Sequence, residues 1–234
     1  MGAFLQDLRY GVRTLGRTPG FTLIAIGVLA LGIGANALVF SLANTVFLRP
    51  LPAADPGTVV RVYSNRFSNT SHATYLALRD RNSTLAGLAS FEMRSFGLRV
   101  DGDVEPAFGE LVAGNYFPLL GLNPTRGRLL AETDDRAGAP PVVVLSDAFW
   151  KNRLGQADDV VGRTIVLSGT AFTVVGVAPE RFAGLMRPLT AALWVPAAAD
   201  ALLRPMLDEA ARQSRSSPLI GRLKPGVDLA HAQA

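Results

Sequence analysis

The sequence contains no cysteine. That excludes disulfides, a Cys-based zinc site and a thiol nucleophile, and it is compatible with an extracytoplasmic domain. Histidine is nearly absent. His72 and His231 are the only two, too far apart in sequence to suggest a metal site, and His72, beside Ser71, reads as part of a loop or first helical turn rather than as a base. There is no G-x-x-x-x-G-K-S/T loop to cradle phosphates and no G-x-S-x-G elbow to present a serine. The adjacent pairs Asp134-Asp135 and Asp158-Asp159 remain as acidic candidates. Neighbouring side chains in extended chain point apart, so both pairs read as solvated loop. Tyr116, Phe117, Phe149, Trp150 and Trp194 read as core aromatics. No catalytic residue, cofactor site or metal site follows, and the expectation is a protein that is not an enzyme.

Charge is missing from one long stretch. No charged residue lies between Arg17 and Arg49, and within that interval Phe21 to Leu48 reads FTLIAIGVLALGIGANALVFSLANTVFL. A helix needs about 20 apolar residues to cross a hydrocarbon core, and a lone segment in lipid must be helical to satisfy its backbone. This stretch accounts for part of the 49% hydrophobic content and the mean hydropathy of +0.26. The pI near 9.9 does not point to nucleic acid. Residues 1–49 hold Arg9, Arg13, Arg17 and Arg49 against Asp7, a balance of +3; the remaining 19 basic and 18 acidic side chains leave +1. The basic excess flanks the apolar stretch, where it sets topology or meets anionic lipid, and no clustered basic face is visible elsewhere.

Ahead of the stretch, Phe4, Leu5, Leu8, Val12 and Leu15 recur at helical spacing. Residues 1–18 are expected to form an amphipathic helix, either in the membrane interface with its arginines toward phosphate or packed on another protein surface. Gly16 ends it, and Thr18-Pro19 supplies an N-cap and first position for a membrane helix over residues 19–49. A cleaved secretory signal is the competing reading, with Ser41-Leu42-Ala43 at cleavage-like spacing. Signal h-regions run about 7–15 residues, so the length favours an uncleaved anchor with its N-terminus inside and the following domain outside.

Gly27, Ala30, Gly34, Ala37, Ser41 and Asn44 are spaced alternately by three and four, which places them on one stripe of a helix. Small residues let helix backbones approach in lipid, and Ser or Asn can hydrogen-bond across the contact. The stripe is expected to be a helix-packing seam, whose partner is a helix of another chain or of a further part of the protein.

Beyond Arg49-Pro50-Leu51-Pro52, which stops the helix, the sequence predicts short strands and few long helices, an α+β architecture. Val59 to Tyr63 is a strand. Ser71 caps a helix carrying Tyr75, Leu76 and Leu78, followed by an apolar cluster at Leu85, Leu88 and Phe91. Phe96 to Val100 and Pro106 to Val112 form a hairpin about Asp101-Gly102-Asp103. Asn115 to Leu120 is a helical turn ended by Gly121. Arg126-Gly127-Arg128 and Glu132 to Asp135 are polar loop. Val142 to Leu145 is an unbroken apolar strand, and Ser146 caps a helix from Asp147 to Leu154 that Gly155 ends. Thr164 to Leu167 and Phe172 to Val177 form a hairpin about Ser168-Gly169. Leu193 to Val195 is a strand ended by Pro196. An alanine-rich helix runs from Ala197 toward Arg212, and Arg212 to Ser217 is a polar linker. Leu219 to Leu223 is a strand, and Asp228 caps a helix beginning at Leu229. A chain that stops a few residues into a capped helix is expected to be the front part of something longer.

These residues also carry a resemblance. The opening LQDLRYGVRTLGRTPGFTLIAIGVLALGIGANALVFSLANTVFLRPLP is similar to the start of MacB-like (FtsX-like) ABC transporter permeases. Glu110 to Leu122 (ELVAGNYFPLLGL), Val142 to Leu154 (VVVLSDAFWKNRL), Val161 to Pro179 (VGRTIVLSGTAFTVVGVAP) and the closing LIGRLKPGVDLAHAQA resemble the periplasmic core domain of that family, in order. The resemblance implies one N-terminal membrane helix and an outer domain over residues 50–234 with two lobes, a porter-like lobe and an inserted β-rich lobe. It also implies three further membrane helices, which this sequence lacks. The resemblance further implies an ABC ATPase partner that hydrolyses ATP on the cytoplasmic side, with other permease helices or a second permease copy, the lipid membrane and a periplasmic adaptor as further partners. The expected role is a permease subunit or fragment in the bacterial inner membrane. The rivals are a stand-alone membrane-anchored binding module without ATPase coupling and a domain secreted by cleavage after Ala43.

Overall fold

The computed structural model describes residues 19–43, 53–63, 69–100, 102–186, 188–206 and 216–232. The chain divides into two compact units, Met1–Pro50 and Leu51–Ala234. The expected amphipathic helix over residues 1–18, Asn44 and the end of the apolar stretch lie outside the described residues.

In the first unit the apolar stretch forms one uninterrupted helix, α1 (Pro19–Ala43). Pro19 sits in its first turn, where a missing N–H costs nothing. Its large apolar side chains that the structure describes, including Phe21, Leu31 and Phe40, are more than half exposed, and apolar residues cover every side of the helix. A helix apolar all round suits the interior of a bilayer or a large core. Among the described residues, Pro19–Ser41 is the one segment long and apolar enough to cross a membrane.

The second unit is built on a nine-stranded sheet that closes on itself. Its elements are β1 (Val59–Val62), β2 (Thr70–Ser71), α2 (His72–Arg81), β3 (Leu85–Arg99), β4 (Val104–Val112), α3 (Tyr116–Leu120), β5 (Arg126–Gly127), β6 (Val142–Leu145), α4 (Asp147–Arg153), β7 (Thr164–Leu167), β8 (Thr170–Val177), β9 (Leu193–Pro196), α5 (Asp200–Leu203), β10 (Ser216–Ser217), β11 (Leu219–Leu223) and α6 (Leu229–Ala232). Strand β3 pairs with β4, β4 with β9 in parallel, β9 with β6, β6 with β8 in parallel, β8 with β7, and β7 returns to β3. Six strands thus form a barrel, a closure that removes exposed sheet edges. The β7–β8 turn has positive φ at Ser168 (48°) and Gly169 (89°), the signature of a type I′ hairpin. The Ser168 N–H donates to the Gly97 carbonyl at 2.7 Å, fastening that turn to β3.

Strand β3 also reaches outside the barrel. One edge carries β4, continued where the Ser90 carbonyl accepts from the Ala113 N–H. The other carries β11 along residues 85–90 and β7 at residues 98–99. Strand β1 adds to β11, and α2 packs there through Tyr75 against Leu88 and Leu219. The barrel is therefore an insertion, in sequence, between the first half of β3 and β11. The domain is α+β, as expected, with the barrel strands inserted in sequence into the β1–β11–β3 layer.

Period-two alternation sorts side chains into two further cores. Val143, Leu145, Leu193, Val195, Leu111 and Phe96 join one cluster with Trp150 and Phe172. Val142, Val144, Trp194, Val112 and Phe91 join the other with Tyr116, Phe117 and Phe182. Strands β6 and β9 are buried on both faces, which is why Val142 to Leu145 reads as an unbroken apolar run.

Ser71 and Ser146 cap α2 and α4, accepting from Thr74 N–H and Phe149 N–H. The cluster at Leu85, Leu88 and Phe91 belongs to the 15-residue β3, because the strand buries alternate residues against different neighbours along its length. Three expectations are corrected. Arg126-Gly127 is a strand paired with Val177 and Gly176 rather than loop. Ser216-Ser217, placed in a polar linker, pairs with Thr70-Ser71. The alanine-rich helix stops at Leu203, where Arg204 leaves helical geometry; residues 207–215 lie outside the described residues.

Candidate functional site

Of the expected seam residues, Gly27, Ala30, Gly34, Ala37 and Ser41 lie along α1 and are exposed. A Cβ added at Gly27 or Gly34 would meet nothing within 4 Å.

A different group of residues is brought together in the second unit. Glu110 on β4 is fully buried. Its Oε2 accepts from the Tyr116 hydroxyl at 2.9 Å and from the Trp194 indole N–H at 2.7 Å. Its Oε1 accepts from the Leu185 backbone N–H at 3.0 Å. Burying a charge unpaired is costly, and a converging set of donors offsets that cost. Burial pushes the Glu110 carboxyl above the usual carboxylate range, against the opposing pull of the Leu185, Trp194 and Tyr116 hydrogen bonds. Burial, then the Glu110 charge, drives the Tyr116 hydroxyl well above the usual phenol value.

Three local features place these groups. Glu110 and Trp194 are register partners across the parallel β4–β9 pair, so both project from the same face. Tyr116 opens α3, which follows β4 directly. Leu185 lies in the segment between β8 and β9, where Gly184 has φ of +89° and a Cβ would come within 2.8 Å of Glu110 Oε1. Only glycine fits there without strain. Rings enclose the carboxylate: Phe117 and Trp194 are 5.7 Å apart, Phe182 and Trp194 5.1 Å, and Tyr116 and Phe117 5.3 Å. The carboxylate is sealed from solvent and its donors are fixed, so the arrangement pins the β8–β9 segment to the barrel and presents no reacting group.

Asp134 and Asp135 are not the solvated pair their sequence suggests. Asp135 accepts from Gly114 N–H at 2.9 Å through Oδ2 and from Ala198 N–H at 2.7 Å through Oδ1. Asp134 takes both amino groups of Arg128, at 2.6 and 2.8 Å, and the Ala131 N–H. Each of the two side chains finds its own backbone donors. Asp158, 87% exposed and paired with Arg126 at 2.6 Å, fits the solvated reading. His72 is the first residue of α2 and His231 lies in α6. Among the described residues no group of His, Cys, Asp or Glu could hold a metal ion.

The MacB-like periplasmic core domain model matches residues 22–234. The chain belongs to that family. Three solved structures share the fold of this MacB-like core domain. The periplasmic region of MacB from Actinobacillus actinomycetemcomitans is 19% identical, with a TM-score of 0.57 over 75% of this chain and 77% of that one. The extracellular domain of the noncanonic ABC-type transporter YknZ from Gram-positive bacteria is 12% identical, with a TM-score of 0.50 over 72% and 83%. A domain of a putative permease protein from Porphyromonas gingivalis is 15% identical, with a TM-score of 0.50 over 69% and 66%. None of the curated proteins matches the chain. The family is a permease periplasmic domain rather than an enzyme class. Glu110 is not among the residues the sequence singles out, although it opens one of the resembling segments; its signal is a lone carboxylate at an inward position of the apolar strand AFGELV.

Proposed function

We propose that the chain is a permease subunit, or part of one, of an ABC transporter of the MacB/FtsX type. In this reading α1 crosses the bacterial inner membrane with its N-terminus in the cytoplasm, and residues 50–234 lie outside. ATP is hydrolysed by a separate cytoplasmic partner, and movement of the outer domain serves export or envelope work. One observation carries the proposal: a helix apolar on every side and a MacB-like core domain occur in the same chain. The lack of a phosphate-cradling loop in the sequence is consistent with ATP hydrolysis by a partner.

The Gly27, Ala30, Gly34, Ala37, Ser41 and Asn44 stripe is the proposed seam for a partner helix, from a second copy or another permease segment. Fusing a reporter active only outside the cytoplasm after Ala234 tests the topology. Activity there, with a cytoplasmic reporter silent at the same site, is the expected result; the reverse pattern would overturn the orientation. Co-purification with an ABC ATPase separates the permease from a stand-alone anchored binding module.

A further inference from the structure

The segment Ala53–Thr58 follows the apolar stretch in the chain and is the first part of the second unit that the structure describes. It is fixed to that unit unusually well for a connection. The Ala54 N–H donates to the Leu120 carbonyl at 2.9 Å, at the end of α3. Arg222 on β11 then uses three donors on three acceptors: Nε to the Leu119 carbonyl at 2.6 Å, Nη1 to the Thr58 hydroxyl at 2.7 Å, and Nη2 to the Ala54 carbonyl at 2.8 Å. Thr58 in turn donates to the Asp55 carbonyl at 2.8 Å. Gly121, in the left-handed conformation that ends α3, leaves room for Ala54: a Cβ there would lie 2.7 Å from the Ala54 Cβ. Ala53 packs on the core cluster that holds Tyr116 and Trp194.

A planar guanidinium with five N–H donors can hold three acceptors at fixed angles, which a lysine cannot. No carboxylate is among these contacts. The guanidinium therefore serves carbonyls at the end of α3 and along the segment. We propose that Arg222 is a positioning residue that locks Ala53–Thr58 to α3 and β11 as one rigid element. A displacement arriving along the chain from the membrane helix is then delivered to α3, and through Tyr116 to the Glu110 cluster, instead of being absorbed by a slack linker. The source of the displacement rests on the permease reading; the lock itself does not.

The chain has no cysteine, so spin labels can be placed only where they are introduced. Gly57 and Asn123 are exposed, and Gly57→Cys meets nothing within 4 Å. In the full chain in lipid nanodiscs, the label pair at 57 and 123 should give a narrow distance distribution. Arg222→Met should broaden it at least twofold, and Arg222→Lys should broaden it nearly as much. Exchange of the Ala54 amide should accelerate at least tenfold while β6 amides stay protected, which shows that the fold is kept. Thr58→Val, which removes one acceptor, should broaden the distribution less, and it serves as the variant if Arg222→Met does not fold. An unchanged width and unchanged Ala54 exchange would overturn the lock.

With a co-purified ATPase, ATP and vanadate should shift the distance between labels at Gly20 and Asn123 in the native chain and leave the 57–123 distance fixed. In Arg222→Met the 57–123 distance should become nucleotide-dependent with ATP hydrolysis retained. If it stays fixed, the coupling role of Arg222 is wrong. If the native 20–123 distance ignores nucleotide, the permease reading and the coupling role both fall, while the 57–123 width still decides the lock.

Discussion

Trp194 and Glu110 are register partners on neighbouring parallel strands, and the indole N–H of Trp194 donates to the buried carboxylate at 2.7 Å. The β4–β9 pairing within the barrel therefore also brings an indole donor to a fully buried carboxyl group. Leu185 uses the same carboxylate to hold the segment between β8 and β9. One side chain thus links the β4–β9 strand pair to the segment between β8 and β9.

Replacing Glu110 with leucine leaves the Tyr116 hydroxyl, the Trp194 indole and the Leu185 N–H without their acceptor. An orphaned buried donor costs about 1–3 kcal/mol, so Glu110→Leu should destabilise the domain by about 3 kcal/mol or more. For a domain of this size that lowers Tm by about 6–12 °C, measurable by circular dichroism of the chain in detergent. A fall within about 2 °C would mean that the carboxylate is dispensable.

The sign of the pH dependence is the opposite of that for a salt-bridged acid. The Glu110 carboxyl is raised above its ordinary value of 4.5, with burial the leading cause. Over that interval the folded chain holds a proton that the unfolded chain has released. Its stabilising contribution is thus full below the ordinary value and is lost as pH rises through the folded value. The Tm of the native chain minus that of Glu110→Gln should decrease as pH rises above the ordinary carboxyl value. A difference that grows over the same range would show that the donors outweigh burial.

Gly184→Ala places a methyl within 2.8 Å of Glu110 Oε1 at a φ of +89°. Strain of this kind costs about 1–3 kcal/mol. Its cost should be smaller in a Glu110→Ala background, where the obstructing oxygen is gone. Equal costs in both backgrounds would assign the effect to backbone strain alone.

The two acidic pairs should respond differently. Asp135→Ala orphans the Gly114 and Ala198 N–H groups and should cost about 2 kcal/mol or more. Asp158→Ala breaks one exposed ion pair with Arg126 and should change stability by about 0.5 kcal/mol at most. Thermal melts of the two variants side by side check this, and similar values would return Asp135 to the solvated class.

Gly34→Leu should leave α1 inserted, since it adds apolar surface, while weakening association with a partner helix by blocking backbone approach. Cross-linking from a cysteine placed at Ala37 reads this out. Undiminished cross-linking would reduce the stripe to ordinary membrane-helix composition.

Features that depend on neighbours along the chain are legible in the sequence. A 25-residue charge-free helix announces itself by composition. The caps at Ser71 and Ser146, the helix stop at Gly121 and the Ser168-Gly169 hairpin follow from local chemistry. The family resemblance rests on such segments in order. Tertiary structure alone decided the rest. Barrel closure pairs Leu98 with Leu167, a contact with no local signature. The partners of Glu110 stand at positions 116, 185 and 194, and those of Asp135 at 114 and 198. A carboxylate in sequence shows its charge but not its donors, because donors are supplied by whatever the fold packs against it.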